Sequence, residues 1–213
     1  MFAQKENIYI PYLEKTPVID GLPDMDPAIS DWIKFPYIEK TNDKNADYEI
    51  QYKIRYGISY LYLIKESGSD TIKWRDRDYQ NGDGFHMVIA NPDSSGMTDK
   101  FYVLRFSPDN KKEHIPVKKG VWYYNVDLCG KSLSSAAKFM CNTSNGKSYF
   151  ELLLPWSETN PYHPLFSHSI GINLSFVKAV GEKEKNYYFI KFDDQIQSEM
   201  QKKVYFNICS DEV

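Results

Sequence analysis

The chain has 213 residues, one large domain or two small ones, and can bury roughly 70 per cent of its unfolded surface without needing a metal or disulfide. Hydrophobic residues make up 42% and charged residues 26%, a globular balance that excludes wholesale disorder, and a net charge of −3 excludes a domain-wide basic face for nucleic acid. No window approaches the roughly 18 consecutive apolar residues of a helical membrane span, while an aromatic share of 15%, with 17 Tyr and 12 Phe, favours strands and supplies binding surface.

Residues 8–10, closed by Pro11, read as a short edge strand, and positions 1–15 as an extended N-terminal segment. Val18-Ile19 then runs into a turn at Asp20-Gly21, where Gly accepts positive φ and Asp bonds nearby backbone donors. Residues 28–32 suit one helical turn capped by Asp26. Residues 48–56 alternate apolar and polar without a fault, which predicts a strand with one face buried and the other wet. Gly57-Ile58-Ser59 makes a turn, and 60–64 returns as the second strand of an antiparallel hairpin.

Further strands are expected at 85–90, 101–106, 121–127, 138–142, 149–154, 170–177, 187–192 and 204–208, many of them separated by turn signals, with a polar helical turn at 195–202. Many short strands and no long helix predict an all-β sandwich or barrel, as a single domain over 1–213.

The stretch 73–83 concentrates binding chemistry. Trp74 and Tyr79 offer flat apolar faces, and Arg75, Arg77 and Asn81 offer planar polar groups that can bond adjacent hydroxyls. The plainer alternative is a charged surface loop whose Trp packs on the sandwich and whose ions pair weakly. Asp76, Asp78 and Asp83, with Asn81, are also oxygen donors of the kind calcium takes, although their spacing is not that of an EF-hand. Trp122 and Tyr124 share one face of the 121–127 strand and Tyr123 the other, so one set is core and the other a candidate aromatic platform. Trp32 and Trp156 read as packing residues.

Cys129, Cys141 and Cys209 form no metal pattern; they are either three buried thiols or include a Cys129–Cys141 bridge. The four histidines, His86, His114, His163 and His168, lie in unrelated contexts, and no nucleophile elbow, zinc-protease helix or phosphate loop is present, so catalysis is not expected.

Three segments in order carry a family resemblance. They are Val18-Ile19-Asp20-Gly21 with Trp32 beyond it; Tyr60-Leu61-Tyr62-Leu63 followed by Asn81-Gly82-Asp83-Gly84-Phe85-His86; and Tyr149 to Trp156 followed by Ile170-Gly171-Ile172-Asn173-Leu174. Together they resemble the family 9 carbohydrate-binding modules and their DOMON-like relatives over nearly the whole chain. The resemblance implies a jelly-roll-like antiparallel β-sandwich that binds an oligosaccharide or polysaccharide without cleaving it, outside the cytoplasm or at the envelope; a monomer is expected. No cofactor is expected to be required, and relatives often carry structural calcium. The opening Met1-Phe2-Ala3-Gln4 is too short for a signal peptide, so location rests on the resemblance.

Family members that hold sugar ends clamp the ring between two tryptophans. In this chain Asp83 is kept, His86 stands where the family places an acidic ligand contact, and 193–203 has no aromatic residue for the second half of the clamp. That departure supports an alternative, an envelope structural or protein-interaction domain on the same fold.

Overall fold

The computed structural model describes residues 8–24, 32–40, 47–75, 82–90, 101–106, 108, 117–123, 126–127, 131–160, 162–190 and 204–208. Among them are fifteen strands: β1 (Ile8–Ile10), β2 (Ile33–Lys34), β3 (Tyr37–Lys40), β4 (Ile50–Gly57), β5 (Tyr60–Ser67), β6 (Gly84–Ala90), β7 (Phe101–Phe106), β8 (Val117–Tyr123), β9 (Val126–Asp127), β10 (Lys131–Ser132), β11 (Lys138–Ser144), β12 (Lys147–Pro155), β13 (Ser169–Ala179), β14 (Lys185–Phe189) and β15 (Val204–Ile208). The expected helical turn at 195–202, and most of the one at 28–32, lie outside the described residues.

Two sheets face each other. The smaller runs β11-β12-β5-β4-β2; the larger runs β1-β15-β13-β6-β7-β8-β10, with β14 and β3 continuing from β13 and β9 folding back on β8. The 11-residue β13 organises the larger sheet. One edge pairs with β6, and the other pairs first with β15 at Ser169–Ile172 and then with β14 at Ser175–Ala179. Pairing is antiparallel throughout the described strands except that β1 lies parallel to β15.

Strand alternation fills the space between the sheets. Ile54, Leu61, Leu63, Leu152 and Leu154 from the smaller sheet meet Phe85, Met87, Leu104, Ile172, Leu174 and Phe176 from the larger. Phe85 stacks on Phe106 with ring centroids 4.3 Å apart. Trp156 is buried in a 3-10 turn after Pro155 ends β12, and its Nε1 donates to Gly57 O at 3.0 Å.

The wet face expected for β4 is covered. Its polar side holds Lys53 and Arg55, both buried, and Lys53 Nζ lies 4.3 Å from the centroid of the Trp32 ring. The reason is a second, smaller cluster on the outside of this sheet. Tyr60, Tyr62, Ile64, Tyr149 and Leu153 project outward and are capped by Leu13, Ile19, Leu22 and Trp32. Long basic side chains tolerate such burial because their stems are apolar.

The N-terminal segment is therefore more than an extended tail: β1 joins one sheet, and the residues after it wrap the other. Leu13 N donates to Tyr56 O at 2.8 Å and Tyr56 N to Pro11 O at 3.2 Å. The wrap is pinned by Glu151 on β12, whose Oε2 accepts from Asp20 N at 3.0 Å and Gly21 N at 2.8 Å while Oε1 accepts from Tyr62 OH at 2.8 Å. Leu22 N closes an Asx turn on Asp20 Oδ1 at 2.9 Å. Gly21 has φ of +81°, and a Cβ there would stand 2.9 Å from the Cys141 carbonyl carbon. Burial pushes the Glu151 carboxyl up to about 6, against the pull of its three donors.

Two other expectations are corrected. The 121–127 strand is two strands, because Tyr123 pairs with Val126 and Trp122 with Asp127 across a reversal. The sequence mark for the reversal is Asn125, a turn-favouring residue inside an otherwise β-favouring run. Cys141 is a free, half-buried thiol, so the Cys129–Cys141 bridge is not formed. Burial pushes that thiol up to about 11, and Cys129 and Cys209 lie outside the described residues.

Candidate functional site

The polar site is built around Asp83, which immediately precedes β6. Along β13 the inward positions Ile170, Ile172, Leu174 and Phe176 are buried and apolar, and the next inward position is Lys178. A buried ammonium needs a counter-charge and hydrogen-bond acceptors. Lys178 Nζ finds Asp83 Oδ2 at 2.7 Å and Thr71 O at 2.5 Å, and lies 5.6 Å from the Tyr48 ring centroid.

Asp83 Oδ1 accepts from Ala179 N at 2.7 Å, and Oδ2 also accepts from Lys73 N at 3.1 Å. Asp83 N returns a bond to Lys73 O at 2.9 Å. Lys73 and Asp83 are thus bonded in both directions, and the loop between them is closed at its base and fixed to the end of β13.

Trp74 follows directly from this clamp and is 47% exposed. Arg75 is held at the β13–β14 turn: its guanidinium donates to Gly181 O at 2.6 Å and Glu184 O at 3.2 Å, and Lys73 Nζ donates to Gly181 O at 3.1 Å. Gly181 adopts φ of +55°, a conformation that favours glycine.

His86, three residues beyond Asp83, is half-buried on the outward side of β6, opposite Ser175 on one neighbour and Arg105 on the other. The described candidate residues are therefore Trp74 and Arg75, which follow Lys73 of the clamp in sequence, and His86, three residues after Asp83 on β6. Arg77, Tyr79 and Asn81, and the calcium candidates Asp76 and Asp78, lie outside the described residues, as does Tyr124.

Asp83 is bound to protein donors on both carboxylate oxygens, which gives it a positioning role. Among the described residues no three His, Cys, Asp or Glu side chains group as metal ligands. Trp122 pairs with Phe101, which pairs with Ala90 at the far end of β6. The register sets it four residues along the strands from the His86 row, about 13 Å, so it belongs to a different part of the sheet.

Sequence reasoning missed Lys73, Lys178 and the Gly181 turn. Lys178 had a signal: it breaks an otherwise perfect inward apolar series, and a charge at such a position needs a partner.

The fold matches solved structures across its whole length. A family 9 carbohydrate-binding module from Caldicellulosiruptor kristjanssonii, solved with glucose, superposes with a TM-score of 0.68 at 13% identity, covering 98% of this chain and 99% of that one. A structure of such a module from the same organism with cellotriose gives 0.68 at 12% identity over 95% and 93% of the two chains. A proposed carbohydrate-binding protein from Bacteroides uniformis gives 0.60 at 7% identity over 97% and 100%. No family model and no curated protein matches the sequence. The chain has the β-sandwich fold of a family 9 carbohydrate-binding module.

Proposed function

We propose that this chain is a non-catalytic carbohydrate-binding module whose site lies on the 74–82 loop and the adjoining start of β6. The observation that carries the reading is Trp74, a large indole left about half in water on a loop whose base is fixed by a buried ion pair. An exposed apolar ring on a rigid base suits stacking on the C–H face of a sugar, and rigidity lowers the ordering cost of binding. Arg75 and His86 supply planar polar groups, Arg77 and Asn81 are candidates for the same role, and Tyr79 is a candidate for a second stacking face.

The fold's occurrence in modules solved with glucose and cellotriose makes glucose units the first ligands to test. Trp122 and Tyr124 are candidates for a second contact on a longer chain. Asp76 and Asp78 are candidates for calcium binding beside the sugar. The protein acts as a monomer, outside the cytoplasm or at the cell surface. Affinity in the millimolar to micromolar range, about −4 to −8 kcal/mol, fits one or two stacked rings that must displace water.

A thermal-shift series tests the reading, with glucose, cellotriose and a panel of other oligosaccharides, each with and without calcium. A ligand that binds only the folded chain raises Tm at saturation. A sugar-specific rise that Trp74→Ala removes, with the unliganded Tm unchanged, supports the site. A rise that survives Trp74→Ala places the sugar elsewhere, and no rise with any sugar contradicts the function.

A further inference from the structure

The end of the sandwich interior beneath this site is polar. Ser67 on β5 and Ser148 on β12 are register partners, so their Cβ atoms face one another at roughly 5 Å. Both are fully buried, and among the described residues neither hydroxyl oxygen has a hydrogen-bond partner. Buried hydroxyls are normally satisfied, and each orphan costs stability.

The next inward-facing position on β5 is Lys65, between Tyr52 on β4 and Phe150 on β12. Lys65 is 2% exposed, with its Nζ 4.5 Å from the Phe150 ring centroid and 5.9 Å from that of Phe176. Among the described residues no ion pair or hydrogen bond reaches it. The rings solvate the ammonium in part, yet burial pushes Lys65 down to about 7, with Asp83 and Cys141 drawing it up and the Lys178 charge opposing them. Glu66, the adjacent residue, also draws it up.

Among the described residues the charges in this space do not balance. Lys65 and Lys178 bring two positive charges and Asp83 one negative, and Asp83 is already committed to Lys178. The space also holds its smallest side chains where the polar atoms are. The Ser67–Ser148 row lies next to the row carrying Lys65 with Phe150, and the row beyond that carries Leu63 with Leu152.

We propose that Lys65, Ser67 and Ser148 form an internal site for one small monovalent anion of the halide or nitrate class. Two hydroxyls and an ammonium are donors, which suits an anion and gives a cation little to bind. One negative charge neutralises the interior, whereas sulfate or phosphate would overshoot and require more donors than the site holds. Binding takes up a proton wherever Lys65 is neutral, so apparent affinity falls about tenfold per pH unit above 7.

The test is the Tm of the full chain in sodium chloride, bromide, nitrate and gluconate at equal ionic strength, at pH 6 and pH 8. At pH 6 the three small anions raise Tm saturably above gluconate, and at pH 8 the same rise needs about tenfold higher concentration. Lys65→Met removes the difference between anions, and Ser67→Ala with Ser148→Ala weakens it while leaving the lysine in place. Should Lys65→Met fail to fold, the serine double variant and bromide anomalous diffraction locate the ion. Equal Tm in chloride and gluconate at pH 6, an anion effect that the variants retain, or a bromide peak away from these residues overturns the proposal.

Discussion

Asp83 and Lys178 meet at 2.7 Å with neither side chain in water, and the same carboxylate bonds Lys73 N and Ala179 N. The ion pair thereby joins the end of β13 to both stems of the loop that carries Trp74. Breaking it has two separable effects. Asp83→Asn leaves the Lys178 ammonium buried without a counter-charge and lowers unfolding free energy by about 3–5 kcal/mol, measured by urea denaturation. Replacing both partners, Asp83→Asn with Lys178→Met, recovers part of that loss. Sugar retention stays impaired in the double variant because the loop base has lost its shared acceptor. Full recovery of binding would show that the clamp does not position the site.

Glu151 pins the N-terminal wrap, and its carboxyl is raised to about 6 by burial. A carboxyl raised on folding is better protonated in the folded state. Its contribution is therefore fully present below about pH 4.5 and is lost as pH rises through about 6, a change of roughly 2 kcal/mol. Glu151→Gln removes that pH dependence from the difference between the two proteins. It also places an amide N–H2 or a single oxygen where three donors converge, costing about 1–3 kcal/mol at neutral pH. Denaturation midpoints from pH 4 to pH 7 measure both effects.

Gly21 sits at φ +81° against the Cys141 backbone. Gly21→Ala combines left-handed strain with a clash against main chain that cannot rotate away, so a loss of at least about 1–3 kcal/mol is expected. Hydrogen exchange locates the damage: protection falls first at Leu13 and Tyr56, whose amides hold the wrap to β4 and to Pro11 O. Uniform loss across both sheets would assign Gly21 a global role instead.

Lys65 works in the opposite pH window from Glu151. Its folded value lies near 7, below its unfolded one, so its contribution is fully present above about 10.5 and is lost as pH falls toward 7. In a gluconate buffer, stability rises between pH 7 and pH 10 with a slope approaching about 1.4 kcal/mol per pH unit from this group. Lys65→Met flattens the slope, and a wild-type curve that is already flat contradicts the assigned burial.

The fold was legible where alternation runs long. The 48–64 hairpin and the strands at 101–106 and 204–208 were readable because period-two patterning and turn residues act locally. The covered outer face of β4 was not, because Lys53 and Arg55 look solvent-directed until Trp32 and the wrap are in place. The two-residue β2 was too short to show a period. At the site, Trp74 and Arg75 were readable as residue types, while Asp83 looked like an available ligand because nothing in sequence places Lys178 against it. That pairing depends on β13 being one continuous strand across the sheet.

Trp74 is the centre of the account, and its indole N–H resonance is the most direct probe. Trp32, Trp122 and Trp156 give the other indole signals, and Trp74→Phe assigns the peak. On titration with glucose and cellotriose, followed by other oligosaccharides, the Trp74 signal should shift saturably with millimolar or tighter affinity. The buried Trp156, bonded to Gly57 O, should stay in place. A Trp74 signal unmoved by every sugar, or a binding curve carried only by other residues, contradicts the site.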